Sequence, residues 1–139
     1  NNSKSSLLLK ISKKNIIFID EVINIVKRNK NIVFLSDYIE DITDFYKSVD
    51  IFCLPSIEEG FGMALIEAHY YNSKIVCSDA VGAIDLIENQ NNVSIFKNRN
   101  VNDLASKLEK SINEGKKKNF INKNYNIEDS SKDFLDLYK

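Results

Sequence analysis

Short apolar runs recur along the chain with helix-periodic stretches between them, and this alternation limits the fold more than any single residue does. The runs are 7–11, 32–35, 51–54, 75–77 and 93–96. Each is too short for a helix, and most are unbroken by polar residues, as strands covered on both faces are. Between the first two, Ile19, Val22, Ile23 and Val26 recur at i, i+3, i+4 and i+7 ahead of Lys27 and Arg28, the signature of an amphipathic helix. Residues 16–19 would also suit a strand. Ile42, Phe45, Tyr46 and Val49 mark the next helix, with Asp41 placed as N-cap and Asp44 at N3. Further helices are expected from Met63 to Tyr71, from Ile84 to Glu88, and from an Asn100 cap through Leu104, Ala105, Leu108 and Ile112 to Gly115. Asn72 suits the left-handed position that ends the first of these three. The expected class is α/β: a Rossmann-like parallel sheet covered by helices, its fifth strand at an edge. Right-handed crossovers then bring the strand-end loops to one rim.

At 139 residues the chain is expected to form one domain, 1–139, with a real core. Hydrophobic content of 43% with 28% charged residues describes a globular chain rather than a disordered one. A net charge of -1 gives no basic surface for nucleic acid. Cys53 and Cys77 both fall in apolar runs and read as small core residues of a reducing compartment, with a disulfide or metal pair as the minor reading. No apolar run reaches the roughly 20 residues needed to span a bilayer, the first residues carry no signal-peptide pattern, and no internal repeat is present. The expected location is cytoplasmic, with peripheral attachment at the inner face of the membrane left open. Lys116, Lys117 and Lys118 read as a solvated helix end, and residues 134–138 as a last amphipathic stretch.

The stretch Ile51-Phe52-Cys53-Leu54-Pro55-Ser56-Ile57-Glu58-Glu59-Gly60-Phe61-Gly62-Met63-Ala64-Leu65-Ile66-Glu67-Ala68 carries the chemistry. It reads as strand, glycine loop and helix, the order in which an open α/β sheet offers a ligand crevice. Gly60 and Gly62 permit positive φ and close approach. The amides from Phe61 to Ala64, at a helix N-terminus, would suit a phosphate; an ordinary tight βα turn is the alternative. Glu67 sits mid-helix among apolar and aromatic residues with no basic residue three or four positions away. A carboxylate covered in this way needs hydrogen-bond donors, and a pair of sugar hydroxyls would supply them; a narrow solvent-facing strip is the alternative. Glu59 lies on the loop, where its carboxylate would face the same crevice. Gly82, in the loop after the fourth run, allows approach of a base or diphosphate or simply a turn. His69 is expected to be packed rather than catalytic.

Pro55-Ser56-x-x-Glu59-Gly60-Phe61-Gly62-x-x-x-x-Glu67-Ala68 resembles the E-x7-E signature of retaining group 1 (family 4) glycosyltransferases, the glycogen-synthase-like and sucrose-synthase-like class. Phe45-Tyr46-Lys47-Ser48-Val49-Asp50 is similar to the Leu-Tyr-x-x-Ala-Asp that precedes it in that family. The resemblance implies the C-terminal, donor-binding half of a GT-B fold. It implies Glu59 as the catalytic carboxylate facing the donor sugar, with Gly60, Phe61, Gly62, Met63, Ala64 and Gly82 at the sugar and diphosphate and Glu67 at the ribose hydroxyls. It implies transfer from a nucleotide diphosphate sugar to a glycan or other acceptor, with no cofactor and no metal, and a role such as polysaccharide biosynthesis. The resemblance covers roughly Leu7 to Tyr138. The family's N-terminal acceptor domain and the first strand and loop of its C-terminal domain, with the Arg and Lys that neutralise the diphosphate, have no counterpart here. The expected partners are therefore the donor and that N-terminal domain or its equivalent, and the chain alone is expected to transfer nothing. Ser12-Lys13-Lys14 stands where the family has Gly-x-Gly, Ser36 at a common Gly, Lys74 at a usual Pro and Asn92 at a usual Gly. Those departures favour a rival reading, a degenerate non-catalytic GT-B-like interaction module. Another GT-B enzyme, such as a nucleotide-sugar epimerase or a phosphorylase, is the other.

Overall fold

The computed structural model describes residues 6–10, 19–35, 39 and 42–115, and the chain divides into two compact units, 1–40 and 41–139. Ile11, Asp41, the lysines 116–118 and the stretch 134–138 lie outside the described residues.

In the first unit, β1 (Leu7–Lys10) and β2 (Ile32–Leu35) run parallel, with Leu7 opposite Ile32 and Lys10 opposite Leu35. Parallel strands need a crossover, and α1 (Ile19–Arg28) supplies it. Asp20 and Glu21 sit in its first turn and Lys27 and Arg28 in its last, each charge opposing the helix dipole. The Asn29 side chain donates to the Ile25 carbonyl (2.8 Å), satisfying one of the orphan acceptors at the helix end.

The second unit holds α2 (Ile42–Ser48), β3 (Ile51–Leu54), α3 (Met63–Tyr70), β4 (Lys74–Ser78), α4 (Ile84–Ile87), β5 (Val93–Phe96) and α5 (Val101–Asn113). Its three strands are parallel in the order β3-β4-β5, and helices α3 and α4 form the connections. The fold is thus α/β, a Rossmann-like parallel sheet flanked by helices. Strand β4, paired on both sides, is buried along its whole length, whereas β3 and most of β5 are half-covered. The core gathers Tyr46, Leu65, Ala68, Ile75, Cys77, Val81, Ala83, Ile84 and Ile87 from both helices and sheet. Register pairs Cys53 with Val76 and Leu54 with Cys77. Because side chains alternate along a strand, the two thiols project to opposite faces of the sheet and do not bridge. Burial pushes both up to about 11.

Three details differ from the sequence reading. Helix α3 is not covered on most sides, since Met63 is 59% and Tyr70 56% exposed; only Leu65, Ala68 and His69 are buried. Strand β4 is one residue longer at each end than the apolar run. Helix α5 turns Leu104, Lys107, Leu108 and Ser111 inward and leaves Ala105 and Ile112 outside. The polar Ser111 is favoured inside because the buried Lys74 ammonium donates to its carbonyl, a cation at a helix C-terminus. The expected caps at Asn72, Asn100 and Gly115 are present. Asn100 accepts from the Asp103 amide (3.0 Å), and Asn72 and Gly115 take left-handed φ of 62° and 66°.

Candidate functional site

The loop that leaves β3 is held by its own residues and by the two loops beside it. Ser56 Oγ donates to Glu59 Oε2 (3.1 Å), and Ser78, at the end of β4, donates to the Ser56 carbonyl (2.6 Å). Glu59 pairs with Val81 as an isolated parallel bridge. The Gly82 amide then donates to the Gly60 carbonyl (2.9 Å) and the Ala83 amide to the Phe61 carbonyl (2.8 Å). Residues 59–61 and 81–83 therefore form a short ladder between two strand-end loops. The loop after β5 joins them, because the Asn98 side chain donates to the Ile57 carbonyl (2.7 Å).

Two of the three glycines are required by this arrangement. Gly62 caps α3 with φ 82°, and a Cβ there would stand 2.6 Å from Val81 Cγ1. A Cβ on Gly82 would run into the Gly60 carbonyl oxygen. Gly60 itself has open space where a Cβ would go, so its side of the ladder needs only a backbone carbonyl. The partner that Gly82 approaches is thus the neighbouring loop.

A crevice of about 450 Å³ adjoins this ladder, lined by the acidic residues Glu59, Asp79, Asp85 and Glu88 together with Gly82 and the apolar Val81 and Ile84. Among the described residues, Asp79 is the one of these four paired with a cation: Lys97 Nζ lies 2.8 Å from it and the Asn98 amide 2.8 Å. Those donors hold the Asp79 carboxyl below the usual carboxylate range, and the pair keeps Lys97 above its ordinary value. Among the described residues no Lys, Arg or His lines the crevice. Such a lining repels anions and accepts hydrogen bonds, which suits hydroxyl groups.

The remaining sequence-predicted residues stand around it. Phe61 (52% exposed) and Met63 flank Gly62 with their side chains in solvent, and Ala64 is half-buried. Among the described residues no side chain caps the N-terminus of α3 by a hydrogen bond. Glu67 does not line the crevice. It sits mid-helix, half-buried, and accepts a hydrogen bond from Tyr46 Oη (2.8 Å). The structure thus brings Glu59, Gly60, Gly62 and Gly82 together and gives Glu67 a protein partner of its own. His69 is buried, its Nδ1 3.5 Å from the Asn92 amide nitrogen, and desolvation lowers its pKa. It does not line the crevice. Among the described residues, no three His, Cys, Asp or Glu side chains are arranged to hold a metal ion.

Sequence reasoning reached Ser78 and Asp79 only as part of the crevice loop that holds Gly82, and missed Asn98, whose place after the fifth apolar run was the available signal. Tyr46 appeared only on its helical face and within the family-like stretch 45–50, because its partner lies 21 positions away on another helix.

Residues 21–127 match the family model described as glycosyl transferases, group 1. The chain is 31% identical over 87 residues to the capsular polysaccharide biosynthesis glycosyltransferase CapM of Staphylococcus aureus, covering 63% of this chain and 23% of that protein. It is 37% identical over 68 residues to the N,N'-diacetylbacillosaminyl-diphospho-undecaprenol alpha-1,3-N-acetylgalactosaminyltransferase of Campylobacter jejuni, covering 49% and 18%. An uncharacterized glycosyltransferase of Haemophilus influenzae is 31% identical over 74 residues, covering 52% and 21%. The chain spans less than a quarter of the length of these curated relatives.

Proposed function

The chain belongs to the group 1 glycosyltransferase family, and from that premise we propose that it is the donor-binding part of a retaining GT-B enzyme. The enzyme would transfer a sugar from a nucleotide diphosphate sugar to a glycan or other acceptor. Residues 1–139 act as a single Rossmann-like nucleotide-sugar-binding domain, and the acceptor side comes from an N-terminal domain or its equivalent outside this sequence. Alone, the chain transfers nothing.

One observation carries the reading. The ladder of residues 59–61 with 81–83 fixes Glu59 at an acid-lined crevice and leaves the glycine-capped start of α3 without a side-chain cap. A nucleotide diphosphate sugar needs both surroundings. Its sugar hydroxyls donate to carboxylates such as Glu59, and its diphosphate meets backbone amides and a positive helix end at Gly62, Met63 and Ala64. Glu67 accepts from the ribose hydroxyls. The departing diphosphate is stabilised by the helix end and by basic residues outside this sequence, with no metal ion in the scheme.

The names of two relatives specify capsular polysaccharide biosynthesis and an undecaprenol-linked sugar. We place this chain in polysaccharide assembly of that kind, in the cytoplasm. Among the described residues no helix is long and apolar enough to cross a membrane.

A second reading, a non-catalytic GT-B-like interaction module, is favoured by the Tyr46–Glu67 bond, since a carboxylate with one oxygen already bonded within the protein depends less on a ligand. Saturation-transfer NMR with UDP, GDP, ADP and their sugar conjugates separates the two. Donor binding predicts transfer to the ribose of one nucleotide, lost in Glu67→Ala. Transfer from none of them favours the interaction module. Glycosyl transfer by the chain alone would refute its inactivity.

A further inference from the structure

The hydrogen bond that favours the second reading has another consequence if the donor-binding reading, on which this inference rests, is correct. Glu67 ends in a torsion with a broad, shallow profile, so an unheld carboxylate at mid-helix rotates. Tyr46 does not. It is 2% exposed, stacked on Tyr71 at 5.7 Å and 9°, and edge-on to Phe45 at 5.2 Å. Phe52 closes a further side at 5.6 Å. The Tyr71 hydroxyl is in turn 3.1 Å from Thr43 Oγ1. The phenol is therefore a fixed point on α2 from which one oxygen of Glu67, on α3, is held. Among the described residues the other oxygen, Oε1, takes no hydrogen bond.

We infer that Tyr46 is a positioning residue: its hydroxyl fixes Glu67 Oε2 and so presents Oε1 to the vicinal hydroxyls of a ribose. Burial and the adjacent Glu67 carboxylate raise the Tyr46 pKa, so the phenol keeps its proton, and its role as donor, through the neutral range. Fixing an acceptor before the ligand arrives removes an ordering cost from binding. Tyr46 touches no ligand itself; its effect is read only through the ribose hydroxyls.

The test compares UDP, GDP and ADP with their 2′,3′-dideoxy counterparts on the full chain, by NMR titration. Wild type should favour one ribonucleotide over its dideoxy analogue by about tenfold, the scale of a hydrogen bond to a charged group. Tyr46→Phe keeps the ring stack, and its amide spectrum should stay that of a folded chain. Its preference should fall to about threefold or less with dideoxy affinity unchanged, and Glu67→Gln should lose the preference as well. A purely structural Tyr46 would weaken both ligands alike or neither. Ribonucleotide binding with the preference intact in Tyr46→Phe would overturn the positioning role and leave the donor-binding reading standing. Failure of wild type to bind any of the three nucleotides would overturn both.

Discussion

Gly60 and Gly62 stand two positions apart in one loop and differ in what they tolerate. Gly62 combines a left-handed φ of 82° with a Cβ position 2.6 Å from Val81 Cγ1. Gly62→Ala should lower stability by about 2 kcal/mol in urea denaturation, from backbone strain and the contact together. Gly60→Ala, with open space at the same atom, should change stability by less than about 0.5 kcal/mol. Gly82→Ala should resemble Gly62→Ala, since its new methyl group would push the Gly60 carbonyl off its amide partner. At this scale the sequence showed that glycines matter here, and which of them matters was hidden. The pairing of Gly82 with Gly60 joins backbone to backbone, and such a ladder leaves no side-chain signature. The Tyr46–Glu67 bond was hidden for a different reason, since nothing local marks two side chains that meet across helices.

Among the elements, the strands were the most legible, because a run of four apolar residues between turn residues has few other uses. The chain ends of α5 were legible too: Asn100 and Asp103 at its start and Gly115 at its close are read from local chemistry alone. Asn100→Ala removes the acceptor of the Asp103 amide and should lower stability by about 1 kcal/mol, measured as a drop in Tm. The inward face of α5 was less legible. Its apolar residues alone favour Ile112 over Ser111, but the position of Lys74 at the start of β4 decides the rotation, and that is tertiary information. The exposure of Met63 and Tyr70 on α3 was likewise invisible in a helix whose sequence is apolar nearly all round.

Over the whole molecule, buried titratable groups set the pH range in which the fold is firm. Cys53 and Cys77 ionise near 9 when unfolded and near 11 in the fold. Raising the pH through that window therefore favours the unfolded chain, which gives up its protons first. Tyr46, raised by burial, adds to the same trend above its ordinary value of 10.0. The urea midpoint should fall steadily between about pH 9 and 11, and a Cys53→Ala/Cys77→Ala double variant should show a shallower fall. His69 works the other way: lowered by burial from 6.5, it withdraws stability as pH drops below that value. A midpoint that held level from pH 9 to 11 would show that these thiols are not protected as the structure has them.

The ladder between residues 59–61 and 81–83 also joins the exits of β3 and β4 mechanically. Loops at the rim of a sheet ordinarily move separately and are ordered by whatever binds them. Here the two are already clamped to each other, and Asn98 ties in a third from β5. The entropy of ordering the rim is lost when the chain folds, so a ligand meets a surface with little left to arrange. Such a site answers to the shape and hydrogen-bonding pattern of what enters it, and discriminates through misfit rather than by closing around its guest.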